Sequence, residues 1–222
     1  MLTRVWAGLV PNDPAWKVTV AGRPSAAAGS VESFADASDA ALVEACLAGR
    51  REAFDVIVER HRRHVYQLCY RFVGNHEDAS DLAQDVFIRA YRGLNRFRNQ
   101  ASLGTWLYRI GVNVCLNRLS SKAPRPEPLE RLVAASDERI ASHDESASES
   151  LLRGERAAHV RAAIARLPRK QRATLILRVY HELPHEQIAS ILGSSVGAVK
   201  ANFFHALNNL RKLLRTETEA GQ

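Results

Sequence analysis

Four groups of side chains in this sequence have types and spacings that could do chemistry. Thr105, Arg109, Asn113 and Asn117 recur every four residues, which lines a hydroxyl, a guanidinium and two amides along one row of a helix. Trp106, Ile110 and Val114 lie one position on and form the inward row. Amides and guanidinium groups pair with both phosphates and base edges, so the polar row suits nucleic acid. Immediately before it, in NRFRNQASLGT, Arg96 and Arg98 bracket Phe97 beside a polar loop. Interleaved basic and aromatic groups suit a single strand, whose unstacked bases need a π-face and whose backbone needs counter-charge. A third group, Asp81, Gln84, Asp85 and Arg89, shares the outer face of the preceding helix, and by itself is no more than a solvated face. The fourth, His61 and His64 with Glu59 and Cys69 nearby, is the only raw material for an enzyme. It lacks a third oriented ligand and a substrate pocket, so these read as surface or satisfied histidines. There is no Gly-rich phosphate loop, and Cys46, Cys69 and Cys115 form no CxxC pair and read as buried free thiols. Neither catalysis nor a metal or cofactor is expected.

These residues sit in a chain of 222, with 46% apolar and 25% charged residues, the balance of a globular protein rather than a collagen-like, disulfide-stapled or wholly disordered one. No apolar run approaches the ~18 residues of a membrane span, and the start lacks the basic, apolar and cleavage regions of a secretory signal. A cytoplasmic protein without membrane insertion is expected. The net charge of +7 is unevenly distributed. Residues 50–118 hold 12 basic and 7 acidic groups, a net +5, and residues 156–215 hold 11 and 2, a net +9. Between them residues 119–155 hold 5 and 8, a net −3. Two basic blocks around an acidic one are the footprint of a polyanion binder.

The elements that must position these groups are helices, because no alternating strand pattern of useful length occurs. Residues 1–37 are rich in Ala, Gly, Ser and Pro and read as a disordered extension. From Ser38, Phe54, Ile57, Val58, Val65, Leu68, Cys69 and Phe72 recur at helical spacing until Gly74. A second helix is expected from about Glu77 to Leu94 and a third from about Ser102 to Leu119. Residues 121–154, with SSKAPRPEPLE and ASHDESASES across them, cannot build a core and read as a flexible linker. Helical patterning resumes over 155–215, leaving a short tail at 216–222. The fold class is therefore all-α, in two helical domains at 38–120 and 155–215.

Within the second domain, His185 to Leu192 is a short helix, Gly193-Ser194-Ser195 a turn, and a helix of about five turns follows, capped by Ser194 or Ser195. Helix, tight turn, longer helix in a basic domain is the arrangement that lays a recognition helix in the major groove. Val196, Val199, Phe203, Leu207, Leu210 and Leu214 form the stripe expected to face the core. Ala201, His205 and Asn208 then point away, with Lys200 and Phe204 on the shoulder. No acid occurs between Glu186 and Glu217, whereas an ordinary solvated helix would carry some.

The order of these features completes the reading. RREAFDVIVERHRRHVYQLCYRFVGNHEDASDLAQDVFIRAYRGLNRFRNQASLGTWLYRIGVNVCLNRL, followed after a linker by IARLPRKQRATLILRVYHELPHEQIASILGSSVGAVKANFFHALNNLRKLL, resembles the extracytoplasmic-function (ECF) group of bacterial sigma-70-type sigma factors. DLAQDVFIRAY and TWLYRIGVNVCLNRL look like the region-2 signatures of that family. The resemblance implies binding to core RNA polymerase, its beta subunit and the beta-prime clamp helices among the surfaces, and promoter recognition and melting. It implies that Asp81, Gln84, Asp85 and Arg89 dock on the clamp helices. Arg98, Asn99, Gln100, Ala101 and Ser102, with Asn113 behind them and Arg109 and Asn117 in the same row, would hold minus-10 DNA and a flipped base. Lys200, Ala201, Asn202, Phe204 and His205 would face the minus-35 duplex. The acidic linker would follow a basic channel of the polymerase, and an anti-sigma factor is a further partner the resemblance allows. Many relatives carry VKSRLxRAR where this chain reads VKANFFHAL, so fewer Arg-to-guanine pairs are available and the minus-35 preference differs or leans on shape. A helix-turn-helix regulator without polymerase docking is the competing reading, and it leaves the Asp81–Arg89 face and the NRFRNQAS loop without a role.

Overall fold

Ser38 opens the first described helix by accepting the Ala41 amide on its Oγ at 3.2 Å, which satisfies one of the unpaired donors every helix start leaves. Helix α1 (Asp39–Leu47) leads through a turn at Gly49 to the long α2 (Glu52–Val73). Gly74 ends α2 in the left-handed region at φ 79°, its N–H returned to the Tyr70 carbonyl. Asn75 then caps α3 (His76–Gly93), its Oδ1 accepting the Asp78 amide at 2.7 Å. A 3-10 turn (Leu94–Arg96) and a loop lead to α4 (Leu103–Ser121). The computed structural model describes residues 34, 36–121 and 157–220. The extension expected at 1–37, apart from its last residues, and the linker expected at 121–154, apart from Ser121, lie outside the described residues. A helix over 157–165, α5, leads to Pro168 and α6 (Arg169–Val179), then α7 (His185–Leu192) and α8 (Val196–Ala220). No strand occurs among the described residues.

The first four helices close around Phe54, Ile57, Leu68 and Phe72 of α2, Val86 and Phe87 of α3, and Leu107 and Cys115 of α4. Each large side chain buried in this way stabilises the bundle by about 1.5–3 kcal/mol relative to exposure. Helices α2 and α4 approach closely where Gly111 faces Leu68, whose Cδ2 lies only 2.7 Å from where a Cβ on Gly111 would stand. Arg118 of α4 pairs with Asp78 of α3 at 2.8 Å, and Arg60 and His61 of α2 both reach Asp39 at the start of α1, at 2.6 and 3.1 Å. In the second unit Ile164, Leu167, Ile176, Leu177, Ile188, Val199 and Ala206 form the core, and Asn209 of α8 donates to Gln171 of α6 at 2.9 Å.

The two units share a seam. Helix α7 packs on α4, and α6 on α2. Arg172 of α6, only 7% exposed, donates to the carbonyl of Phe72, in the last turn of α2 where carbonyls lack helical partners, and to Ala165 O at 3.3 Å. Burial pulls its guanidinium down to about 10, still charged at neutral pH. Arg71 lies over the Tyr180 ring at 4.2 Å, and the Tyr108 hydroxyl meets His181 Nδ1 at 3.0 Å.

Candidate nucleic-acid interface

The loop and helix around residues 96–117 are held by local contacts. Ser102 caps α4, its Oγ accepting the Thr105 amide at 3.2 Å and lying 2.9 Å from the Thr105 hydroxyl. Thr105 is thereby engaged in the cap, while Arg109, Asn113 and Asn117 continue the row exposed. Phe97 packs half-buried on Trp106, ring centroids 5.2 Å apart, so the aromatic of the loop props it instead of offering a free face. Trp106 and Ile110 are half-buried and Val114 buried, which makes them the inward row. Arg98, Asn99, Gln100 and Ser102 are exposed and Ala101 half-buried, with Asn99 in the left-handed region at φ 54°. Asparagine is among the few residues that adopt that conformation readily. An exposed polar loop thus opens onto a helix whose outer row is one guanidinium and two amides.

On α3, Asp81, Gln84 and Arg89 are exposed and Asp85 half-exposed. Arg89 grips Asp85 through Nε at 2.9 and 3.0 Å and through a terminal nitrogen at 2.9 Å. That bond raises the Arg89 guanidinium further above its ordinary value. The face therefore presents two acceptors, Asp81 and Gln84, beside a neutralised pair.

Helix α8 is capped by Ser195, whose Oγ accepts the Ala198 amide at 3.2 Å, and Gly193 makes the turn at φ 58°. The helix runs 25 residues, longer than the five turns expected, and continues through part of the expected tail. Val199 and Ala206 are buried, and Val196, Phe203, Leu210 and Leu213 pack beside them. Leu207, expected in that stripe, is 40% exposed, because Ala206 takes the core position one residue earlier. Lys200, Ala201, Phe204 and His205 are exposed, and Asn202 and Asn208 half-buried.

The three cysteines are free, Cys69 and Cys115 buried as expected and Cys46 only half-buried. Hydrogen bonding to Cys115 and burial hold the Cys69 thiol well above its ordinary range, so it is inert as a nucleophile. His61 and His64 border a cleft with Val65, Gly104, Leu107 and Tyr108, but His61 is satisfied by Asp39. No group of three or more His, Cys, Asp or Glu placed to hold a metal occurs among the described residues. The polar groups at the seam, Arg172, Tyr108 and His181, were missed by sequence reasoning. The one available signal was an arginine at 172 immediately before the largely apolar stretch Ala173–Leu177.

Fold and surface together define an all-α nucleic-acid-binding protein with a helix-turn-helix. Residues 57–125 match sigma-70 region 2 and residues 158–210 match sigma-70 region 4. The chain is 36% identical over 183 residues to the RNA polymerase sigma-H factor of Pseudomonas aeruginosa, covering 80% of this chain and 94% of that protein. It is 34% identical to the ECF RNA polymerase sigma factor SigW of Bacillus subtilis, covering 75% and 91%. Its fold is similar to that of the sigma factor RpoE from Bartonella quintana, solved in complex with the anti-sigma factor NepR, with a TM-score of 0.53 and 21% identity, covering 73% of this chain and 96% of that one. The chain belongs to the ECF group of the sigma-70 family, RNA polymerase sigma factors that bind core polymerase and promoter DNA. No helix among the described residues is long and apolar enough to cross a membrane.

Proposed function

We propose that this chain directs promoter-specific initiation through three surfaces, with α3 docking on polymerase, the 98–102 loop and α4 row reading and opening the minus-10 element, and α8 reading the minus-35 duplex. The observation that carries the reading is the coexistence, in one chain, of two exposed nucleic-acid faces of different kinds. One is a polar loop and amide row suited to extruded bases, and the other is an acid-free recognition helix suited to a groove. A regulator that only binds duplex DNA needs the second face alone. Asp81, Gln84, Asp85 and Arg89 fit a protein partner, because Asp81 repels phosphate, Asp85 already occupies the Arg89 guanidinium and Gln84 carries no charge to attract a polyanion.

The domain limits that go with this reading are 38–120 and 155–215, joined by the acidic linker. The chain itself carries no catalytic group in this scheme and acts in the cytoplasm, where polymerase and promoter are. An anti-sigma factor is a further partner this reading allows, as RpoE, similar in fold, is solved in complex with one. Purified core polymerase tests the reading. With this chain added, a stoichiometric complex should form and transcripts should start at discrete sites upstream of which a common pair of elements can be aligned. DNA binding without any complex with core polymerase would reduce the protein to a helix-turn-helix regulator.

A further inference from the structure

Phe204 is 62% exposed, more than any other large apolar side chain among the described residues. It lies on the side of α8 away from buried Val199 and Ala206. Exposed Ala201 stands one turn before it and Leu207, 40% exposed, one turn after, with His205 alongside at a ring separation of 5.8 Å. An apolar strip of this kind gains from being covered. What covers it must also be compatible with the charge around it, and from residue 187 to 216 the chain has no acid, while Lys200, Arg211, Lys212 and Arg215 lie along α8. A polyanion with an apolar group on its surface meets both demands.

Duplex DNA offers one apolar group on its base edges in the major groove, the C5-methyl of thymine. Neither a phenyl ring nor an alanine methyl has a donor or acceptor with which to read anything else there. Ala201 and Phe204 are three residues apart, about 4.5 Å along the helix axis, against about 3.4 Å between successive bases of a strand. The two can therefore sit over neighbouring thymines of one strand.

Resting on the reading of α8 as the duplex-docking helix, we propose that Phe204, with Ala201 beside it, is a specificity-determining residue that selects thymine by its methyl group. Asn202 and His205 supply the hydrogen bonds on either side, and Lys200 the phosphate contact. The selection is one of shape and apolar contact, which accounts for a recognition helix with no arginine between residues 196 and 210.

The test uses the chain loaded on core polymerase and a promoter duplex found by start-site mapping. Each thymine of the minus-35 element is replaced in turn by deoxyuridine, which removes the methyl and leaves the Watson–Crick pairing intact. At one or two positions wild type should lose about fourfold in affinity per methyl. The Phe204→Ala protein should bind thymine and uracil duplexes equally at the position Phe204 covers, and Phe204→Leu should keep part of the discrimination. Because Phe204 is exposed, neither change threatens the fold. Equal wild-type binding to all the uracil duplexes, with Lys200→Ala still weakening binding, would overturn the proposal and leave DNA docking by α8 standing. A Phe204→Ala protein with wild-type affinity for every duplex would overturn it as well and leave the strip to a protein partner. Failure to bind any promoter duplex would overturn both this inference and the reading beneath it.

Discussion

Lys200 stands exposed on α8 between buried Val199 and exposed Ala201, a flexible point charge with no acid near it along the helix. A lysine in that setting contacts phosphate and positions the helix without reading sequence. Lys200→Ala should weaken binding to specific and unrelated duplexes alike and reduce the slope of log affinity against log salt by about one. Titrations at several salt concentrations measure this, and an altered sequence preference with an unchanged slope would assign the residue to base edges. Arg172 is the opposite case, a buried arginine that serves structure. Arg172→Ala leaves the buried Phe72 carbonyl without its donor and should cost about 1–3 kcal/mol in urea unfolding. At this scale the sequence was legible where a residue's exposure follows from local periodicity, as with Asn113 and Asn117. It was illegible where a role depends on a contact distant in sequence, as with Arg172 and Phe72, or on a choice between adjacent apolar residues, as with Ala206 and Leu207.

Helix α3 buries Leu82, Val86, Phe87 and Ala90 and leaves Asp81, Gln84 and Arg89 on its outer face, so the amphipathic pattern that makes the helix also presents the proposed docking surface. The Asp85–Arg89 pair is exposed and spans one turn, worth about 0.3–0.5 kcal/mol to the helix. Asp85→Arg should therefore leave the circular dichroism spectrum and melting curve nearly unchanged while weakening core-polymerase binding at least tenfold. Retention on immobilised core polymerase at wild-type strength would remove α3 from the interface. Element boundaries were readable where caps are local: Gly74 and Ser195 stop or start their helices through their own backbone and side chains, while Asn75, which starts α3 at His76, one residue before the expected Glu77, was not singled out. The length of α8 was harder to read, because its last turns carry Thr and Glu with little apolar pattern to mark an end.

The whole molecule places its two DNA-facing units in contact. About 150 described residues packed together span roughly 40 Å, whereas elements centred at minus-10 and minus-35 lie about 85 Å apart along B-DNA. Reading both at once requires the seam to part, and the 35 residues from 122 to 156 could reach about 115 Å fully extended. The seam has a pH dependence of definite sign. The Tyr108 hydroxyl and His181 Nδ1 share a hydrogen bond, and the charges nearest the ring are His64 and Arg71 of α2, with Arg172 and Arg178 of α6, His185 and Glu186 of α7 and Glu182 of its own loop among the other charged or titratable groups of the elements around it. Burial, then the electrostatic influence of His64 and Arg71, hold its imidazole down to about 4. The closed state therefore binds fewer protons than the open one. Its stability is fully present above the ordinary histidine value of about 6.5 and falls toward pH 4, by up to about 3 kcal/mol. Small-angle scattering should show the radius of gyration rising between pH 7 and pH 5 with helical content unchanged, and the rise should be lost in His181→Gln, which keeps a hydrogen-bonding partner for Tyr108 but does not titrate. Melting is the step that separates a sigma factor from a protein that merely binds promoters, and permanganate footprinting of unpaired thymines in the open complex tests it most directly. Wild-type protein on core polymerase should expose a cluster of reactive thymines at the minus-10 element, and Asn113→Ala should lose most of that reactivity while retaining polymerase and minus-35 binding. A wild-type thymine pattern with the Asn113→Ala protein would contradict the account, because the amide row of α4 would then have no part in holding the opened strand.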